Sequence, residues 1–239
     1  MSLNKQIVLH VVLLAAVFAI FEFLDIDIPL QDRFYDARTH RWIIDRKEPV
    51  ARWTLYLGLK GVAVAIGVAC GAVFFLSYRL PRLARFRRPC LLQALSLVFV
   101  PLIVAGSKQF TNVYTPAQVQ RYGGDKPYVK VMERYPAGFQ SKTRGKGFPA
   151  GHATGGFALM MLYFAFSRRR WKVAGLVTGL TLGWIMGLYQ MLNGQHYLSH
   201  TIVTMSASWI VILIICRLVA AVAEARGAPK PCSSAARST

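Results

Sequence analysis

Acidic residues are scarce in this chain. Ten Asp and Glu stand against 29 Lys and Arg, a formal charge of +19, yet only 16% of the 239 residues are charged. So little charge, with 54% hydrophobic residues and a mean hydropathy of +0.38, excludes an ordinary soluble domain of this length. The excess of base raises nucleic-acid binding as a reading. The bases sit in short clusters between apolar runs, which points to membrane topology and to no nucleic-acid partner. Cysteine is also sparse. Cys70, Cys90, Cys216 and Cys232 fall in apolar runs or on the basic side of them, so no outer-loop disulfide is expected. Their spacing suggests no metal site, and neither a metal nor another cofactor is expected. A small-x-small cleavage site is missing after the first apolar run, where Phe23, Leu24, Asp25 and Ile26 follow, so that run reads as a retained span.

What is abundant is long apolar sequence. Six runs, at roughly 6–24, 53–77, 89–106, 151–166, 173–192 and 199–218, approach or reach the length of about 20 residues needed to cross a bilayer. The expected fold is therefore all-α, a bundle of six transmembrane helices over residues 1–221, with a disordered tail at 222–239. The fourth run is short and Gly-rich, so its outer end is expected to be buried in protein. The connecting segments "YRLPRLARFRR" (78–88) and "SRRRWK" (167–172) carry five and four bases and no acid. Nine of the ten acids lie in or beside the opposite loops, and only Glu224 does not. The positive-inside rule then sets both termini in the cytoplasm. Loops 25–52 and 107–150 face outward, which in a bacterial inner membrane is the periplasm. Loop 25–52 reads either as an interfacial helix with Trp42 and Trp53 at headgroup depth or as a solvated polar loop. Gly175, Gly179, Gly183 and Gly187 recur every four residues and make a smooth face for close helix packing. His10 and Lys60 are ionisable groups within spans, and Lys60 is near enough to the outer end to snorkel.

Three polar clusters fall at outward ends of spans: Lys108; "RGKGFPAGH", Arg144 to His152; and "NGQHYLSH", Asn193 to His200. Alternating topology brings all three to one face. Two histidines, a lysine and a Gly-Pro turn opening a helix suit phosphate, because free N–H groups at a helix start attract anions. Histidine supplies a nucleophile or general acid near neutral pH.

These residues resemble the type 2 phosphatidic acid phosphatase family, membrane phosphatases of lipid phosphates related to vanadium haloperoxidases. The family pattern reads K-x6-R-P, then P-S-G-H, then S-R-x5-H-x3-D. This chain has Lys108 and Pro116, then "PAGH" at 149–152, then His196. The resemblance covers about residues 100–218. It implies that His196 attacks phosphorus to form a phosphohistidine. His152 then protonates the leaving oxygen and activates water, while Lys108 and the Gly151 N–H bind phosphate oxygens. No metal is implied. The departures are Thr115 for the first Arg, Ala150 for Ser, Tyr189 and Gln190 for Ser-Arg, and His200 for the Asp that orients the nucleophile. "PAGH", the Ser-His ending and "RYGGDKPY" (121–128) are similar to a bacterial subfamily with that pattern. Arg144 and Lys146 are the leading substitutes for the missing arginines, with Arg121, Lys126 and Lys142 in the same loop. His200 is one helical turn from His196 and suited to orient it, and Gln190 and Asn193 are expected to face the site.

The expected function is an inner-membrane phosphatase working on a membrane lipid at the periplasmic face. Lipid A, undecaprenyl pyrophosphate and phosphatidylglycerol phosphate are the candidate substrates, with lipid-to-lipid phosphotransfer as a variant. A catalytically degenerate phospholipid-binding protein is the alternative. A transporter would want polar or broken helices at mid-bilayer, and here the polar residues cluster at span ends. The bilayer is the one partner implied; no oligomeric state follows from the pattern.

Overall fold

Apolar sequence without interruption becomes helix, because only a helix satisfies every backbone group within its own segment in lipid. A computed structural model describes residues 2–226. Helix α1 spans Leu3–Phe23, is capped by the Ser2 hydroxyl, and buries none of its residues in protein. A short helix α2, Asp27–Asp32, follows. Then comes a two-strand hairpin, β1 Tyr35–Asp36 paired antiparallel with β2 Arg41–Trp42. Helix α3 runs Pro49–Leu76, with Glu48 accepting the first free N–H groups and a π-helical turn at Arg52–Gly58. Helix α4 runs Pro81–Ser107, opening on a 3-10 turn. Residues 151–165 form α5. Helices α6, Arg169–Leu192, and α7, Leu198–Ala225, complete the bundle.

Among the described residues five helices, α1, α3, α4, α6 and α7, are long and apolar enough to cross a membrane. The fold is thus all-α with a membrane bundle. The fourth run is the exception to the six-span expectation, since α5 alternates 3-10 and α-helical turns over only 15 residues. It lies at the centre, where Ala153, Phe157, Ala158, Met160 and Met161 pack against Val100, Met186 and Ile212. Irregular backbone at membrane depth survives only inside protein. Here Ser96 Oγ donates to the Ala158 carbonyl at 2.8 Å, and Gln93 Nε2 donates to the same oxygen at 3.3 Å. The chain therefore repairs the break from α4.

The glycine face of α6 does what its spacing implies. A Cβ at Gly179 would sit 2.3 Å from the Met160 nitrogen, and one at Gly183 2.2 Å from Phe157 Cδ1. Bare glycines let α5 lie directly on α6. The carboxyl end of α7 departs from expectation. Its helix continues to Ala225, so the start of the segment 222–239 is ordered helix, and residues 227–239 lie outside those described.

Loop 25–52 holds the short helix α2 and the hairpin, and many of its side chains are exposed. It folds over the end of α6: Gln31 Nε2 donates to the Met191 carbonyl at 2.9 Å, and the Ile44 N–H donates to the Leu192 carbonyl at 3.3 Å. Trp42 packs on Gly194, whose φ of +73° turns the chain between α6 and α7 and whose missing side chain leaves room for the indole.

Candidate active site

The turn between α6 and α7 sets His196. Its N–H and that of Gln195 both donate to the Gln190 carbonyl, at 3.2 and 2.8 Å, which closes the end of α6. The Ala117 N–H holds the Gly194 carbonyl at 2.8 Å. His196 is only 2% exposed. Its Nδ1 lies 3.4 Å from His200 Nδ1. Its Nε2 is buried and has no hydrogen-bond partner among the described residues. Burial, then the neighbouring His200 and Lys108, hold the His196 imidazole well below its ordinary pKa. It is a neutral base at physiological pH.

The second motif meets the third directly. The Ala150 N–H donates to the His200 carbonyl at 3.2 Å. The ring centroids of His152 and His196 are 5.3 Å apart. His152 Nδ1 is paired with the Tyr56 hydroxyl at 3.1 Å, with the rings edge to face. Lys108 caps α4 and lies across Gly151. A Cβ at that glycine would come 3.1 Å from Lys108 Cε and 3.3 Å from Nζ. Burial pulls the Lys108 ammonium below its ordinary pKa. The Gly151 N–H is engaged by the Pro149 carbonyl at 3.0 Å. In this arrangement the glycine serves by leaving space for Lys108 rather than by offering a free amide.

Other expected site residues fall elsewhere. Gln190 and Asn193 are both buried; Gln190 lines a cavity beside His152, whereas Asn193 lines neither of the two cavities that His152 borders. Arg144 and Lys146 are exposed and line neither of them. Arg121 is committed to Asp32, with Nε to Oδ1 at 2.8 Å and Nη2 to Oδ2 at 2.6 Å. Lys126 pairs with Asp125 at 2.7 Å. Thr115, where the family has Arg, caps a short turn with Gln118.

The residues that do line the cavity come from the beginning of the chain. A cavity of about 400 Å³ beside His152 is walled by Arg46, Lys47, Arg52, Tyr56 and Gln190, among others. A second cavity, an apolar groove of about 640 Å³, starts at His152 and Lys60 and runs along Val64, Val68, Leu97 and Val98. Sequence reading misses these cations because they sit over 50 residues before Lys108, at no family spacing. Their one signal is a basic pair just ahead of the Pro49 that opens α3. Among the described residues no group of three or more His, Cys, Asp or Glu is placed to hold a metal ion.

The sequence model of the PAP2 superfamily matches residues 89–223, more than half of the chain. The chain belongs to the PAP2 superfamily. Membership makes it a phosphatase acting on phosphate esters, and the long apolar helices make this PAP2 protein a multi-pass membrane protein. No curated protein and no solved structure matches the chain significantly. Lys108, His152, His196 and His200 lie within the PAP2 match, whereas Arg46, Lys47, Arg52 and Tyr56 precede it.

Proposed function

We propose that this protein is a lipid phosphate phosphatase that works through a phosphohistidine on His196. The observation that carries the proposal is the buried Nε2 of His196, which has no partner, beside His152. Buried polar atoms are nearly always hydrogen-bonded, and a lone pair engaged by no donor in a dry site is what a nucleophile requires. In the reactive tautomer, His196 Nδ1–H donates to His200 Nδ1, which leaves Nε2 free. His200 takes the place of a carboxylate as the acceptor of that proton.

His196 Nε2 attacks phosphorus, and a P–N bond forms as the bond to the leaving oxygen breaks. His152, charged only once the negative phosphate is bound beside it, gives that oxygen its proton. His152 then takes a proton from water, which attacks the phosphohistidine and releases inorganic phosphate and free His196. Lys108 offsets charge on the phosphoryl oxygens in a site largely shielded from water. The apolar groove that ends at His152 supports a lipid as the leaving group. The basic inner segments support a site on the periplasmic face of a bacterial inner membrane, with cytoplasmic termini.

The test is phosphate release by purified protein from a panel of lipid phosphates, including phosphatidic acid, a polyprenyl diphosphate, phosphatidylglycerol phosphate and lipid A. His196→Ala and His152→Ala should each lose at least about 1,000-fold in kcat. Release that survives both substitutions, or no release by the wild type, sinks the proposal.

A further inference from the structure

The cavity walled by Arg46, Lys47 and Arg52 is not needed to hold the phosphate that His196 attacks. That phosphate belongs beside Lys108 and Gly151, and neither of these lines the cavity. All three cations are exposed to the cavity, and none is in an ion pair; among the described residues the four ion pairs engage Arg121, Lys126, Lys130 and Arg217. The acids of the same stretch are occupied by backbone. Asp45 accepts the Lys47 N–H at 2.8 Å, and Glu48 accepts the Val50 N–H at 3.0 Å and the Ala51 N–H at 2.5 Å. Tyr56 and Gln190 add hydrogen-bonding groups to the wall. Three unpaired cations around one concave space are an anion site in need of an anion.

His152 decides which anion. It borders both this cavity and the apolar groove. On the reading above, His152 protonates the leaving oxygen, so whatever leaves must extend from His152 into both spaces. It has an apolar tail for the groove and a negative group for the cations. Diacylglycerol, the leaving group from phosphatidic acid, has the tail and no charge.

We propose that Arg46, Lys47 and Arg52 form a second anion site that holds a phosphate retained on the leaving group, so that the preferred substrate is a lipid bearing two phosphates. This rests on the phosphatase reading. The terminal phosphoryl group passes to His196 Nε2. The electron pair of the broken P–O bond stays on the leaving oxygen, and the inner phosphate remains with the lipid. Two lipid chemistries share that feature. In an anhydride the inner phosphate itself carries the leaving oxygen, and in a lipid with a separate phosphodiester the leaving oxygen is an alcohol.

The experiment compares matched pairs in detergent micelles: farnesyl diphosphate against farnesyl monophosphate, and phosphatidylglycerol phosphate against phosphatidic acid. Wild type should favour the two-phosphate member of at least one pair by about tenfold or more in kcat/KM. In Arg46→Gln/Lys47→Gln/Arg52→Gln that ratio should collapse by at least about tenfold. The pair that shows the preference separates anhydride from diester. A ratio near one in both pairs, or a ratio unmoved by the substitutions, overturns the proposal and leaves the cations as general contacts for anionic headgroups. Binding of a farnesyl methylenebisphosphonate against a farnesyl monophosphonate reads the same site without turnover. The bisphosphonate should bind about tenfold tighter to wild type only. A binding difference without phosphate release from any lipid would sink the phosphatase reading and keep the anion site; equal binding would remove the anion site.

Discussion

Asp27 precedes the PAP2 match by 62 residues, yet it holds the beginning of the helix that carries His200. Its carboxylate accepts the Ser199 N–H at 2.9 Å and the Ser199 hydroxyl at 2.5 Å, and both residues are buried. Asp27→Ala strands both donors. A stranded buried donor costs about 1–3 kcal/mol, so the pair gives about 2–6 kcal/mol. A carboxylate at the positive end of α7 adds about 0.3–1 kcal/mol. Opposing these, burial pushes the Asp27 carboxyl above its usual range, so keeping it ionised in the fold already consumes part of the gain. A net loss of about 3 kcal/mol follows, or about 6–12 °C in Tm for a chain of this size. Because Ser199 adjoins His200, loosening the first turn of α7 should also lower kcat about tenfold by freeing the His196–His200 contact. The assay is unfolding of purified protein in detergent, run as a double-mutant cycle with Ser199→Ala, alongside phosphate release. Coupling between the two positions should reach about 1–2 kcal/mol. Asp27→Ala within about 0.5 kcal/mol of wild type, or a cycle with no coupling, would refute the reasoning.

Two further outcomes are expected. Tyr56→Phe deletes the hydroxyl 3.1 Å from His152 Nδ1 and should slow turnover about tenfold with little change in KM, and it should also displace the pH–rate profile; an unchanged profile would make Tyr56 a packing residue. The second concerns acid. The unfolded chain takes up a proton on His196 near pH 6.5, and the folded chain refuses it until well below that. The stability His196 contributes is therefore complete above about pH 6.5 and falls as pH drops below it toward the folded-state value. His196→Gln should flatten that part of a stability curve measured from pH 5 to 7.5, and an identical slope would contradict the burial argument.

Long apolar runs were enough to read the helices, since lipid leaves the backbone no other option. The glycine face of α6 was equally plain, because four-residue spacing has one meaning on a helix. The site was legible where a local motif fixes geometry, as at Lys108, His152, His196 and His200, which the fold brings together. It was not legible where cations are supplied from a distance. Arg144 and Lys146 were favoured for being near the turn in sequence, whereas Arg46, Lys47 and Arg52 reach the cavity because loop 25–52 folds over the end of α6. Arg121 had the right chemistry, but Asp32 already holds it. Nothing along one chain reports which charges have found partners.

The interrupted helix α5 has a consequence for where lipid and water meet. At about 1.5 Å per α-helical residue and about 2.0 Å per 3-10 residue, its 15 residues span about 26 Å, against about 30 Å of hydrocarbon. With Arg168, Arg169 and Arg170 at one membrane surface, as the positive-inside reading sets them, Gly151 and His152 would stop about 4 Å short of the other. A headgroup would have to descend into the bilayer to reach the histidines, and every phosphate released there would have to climb back out. For such a protein, local membrane thickness and the stiffness of the surrounding lipid become part of the rate law.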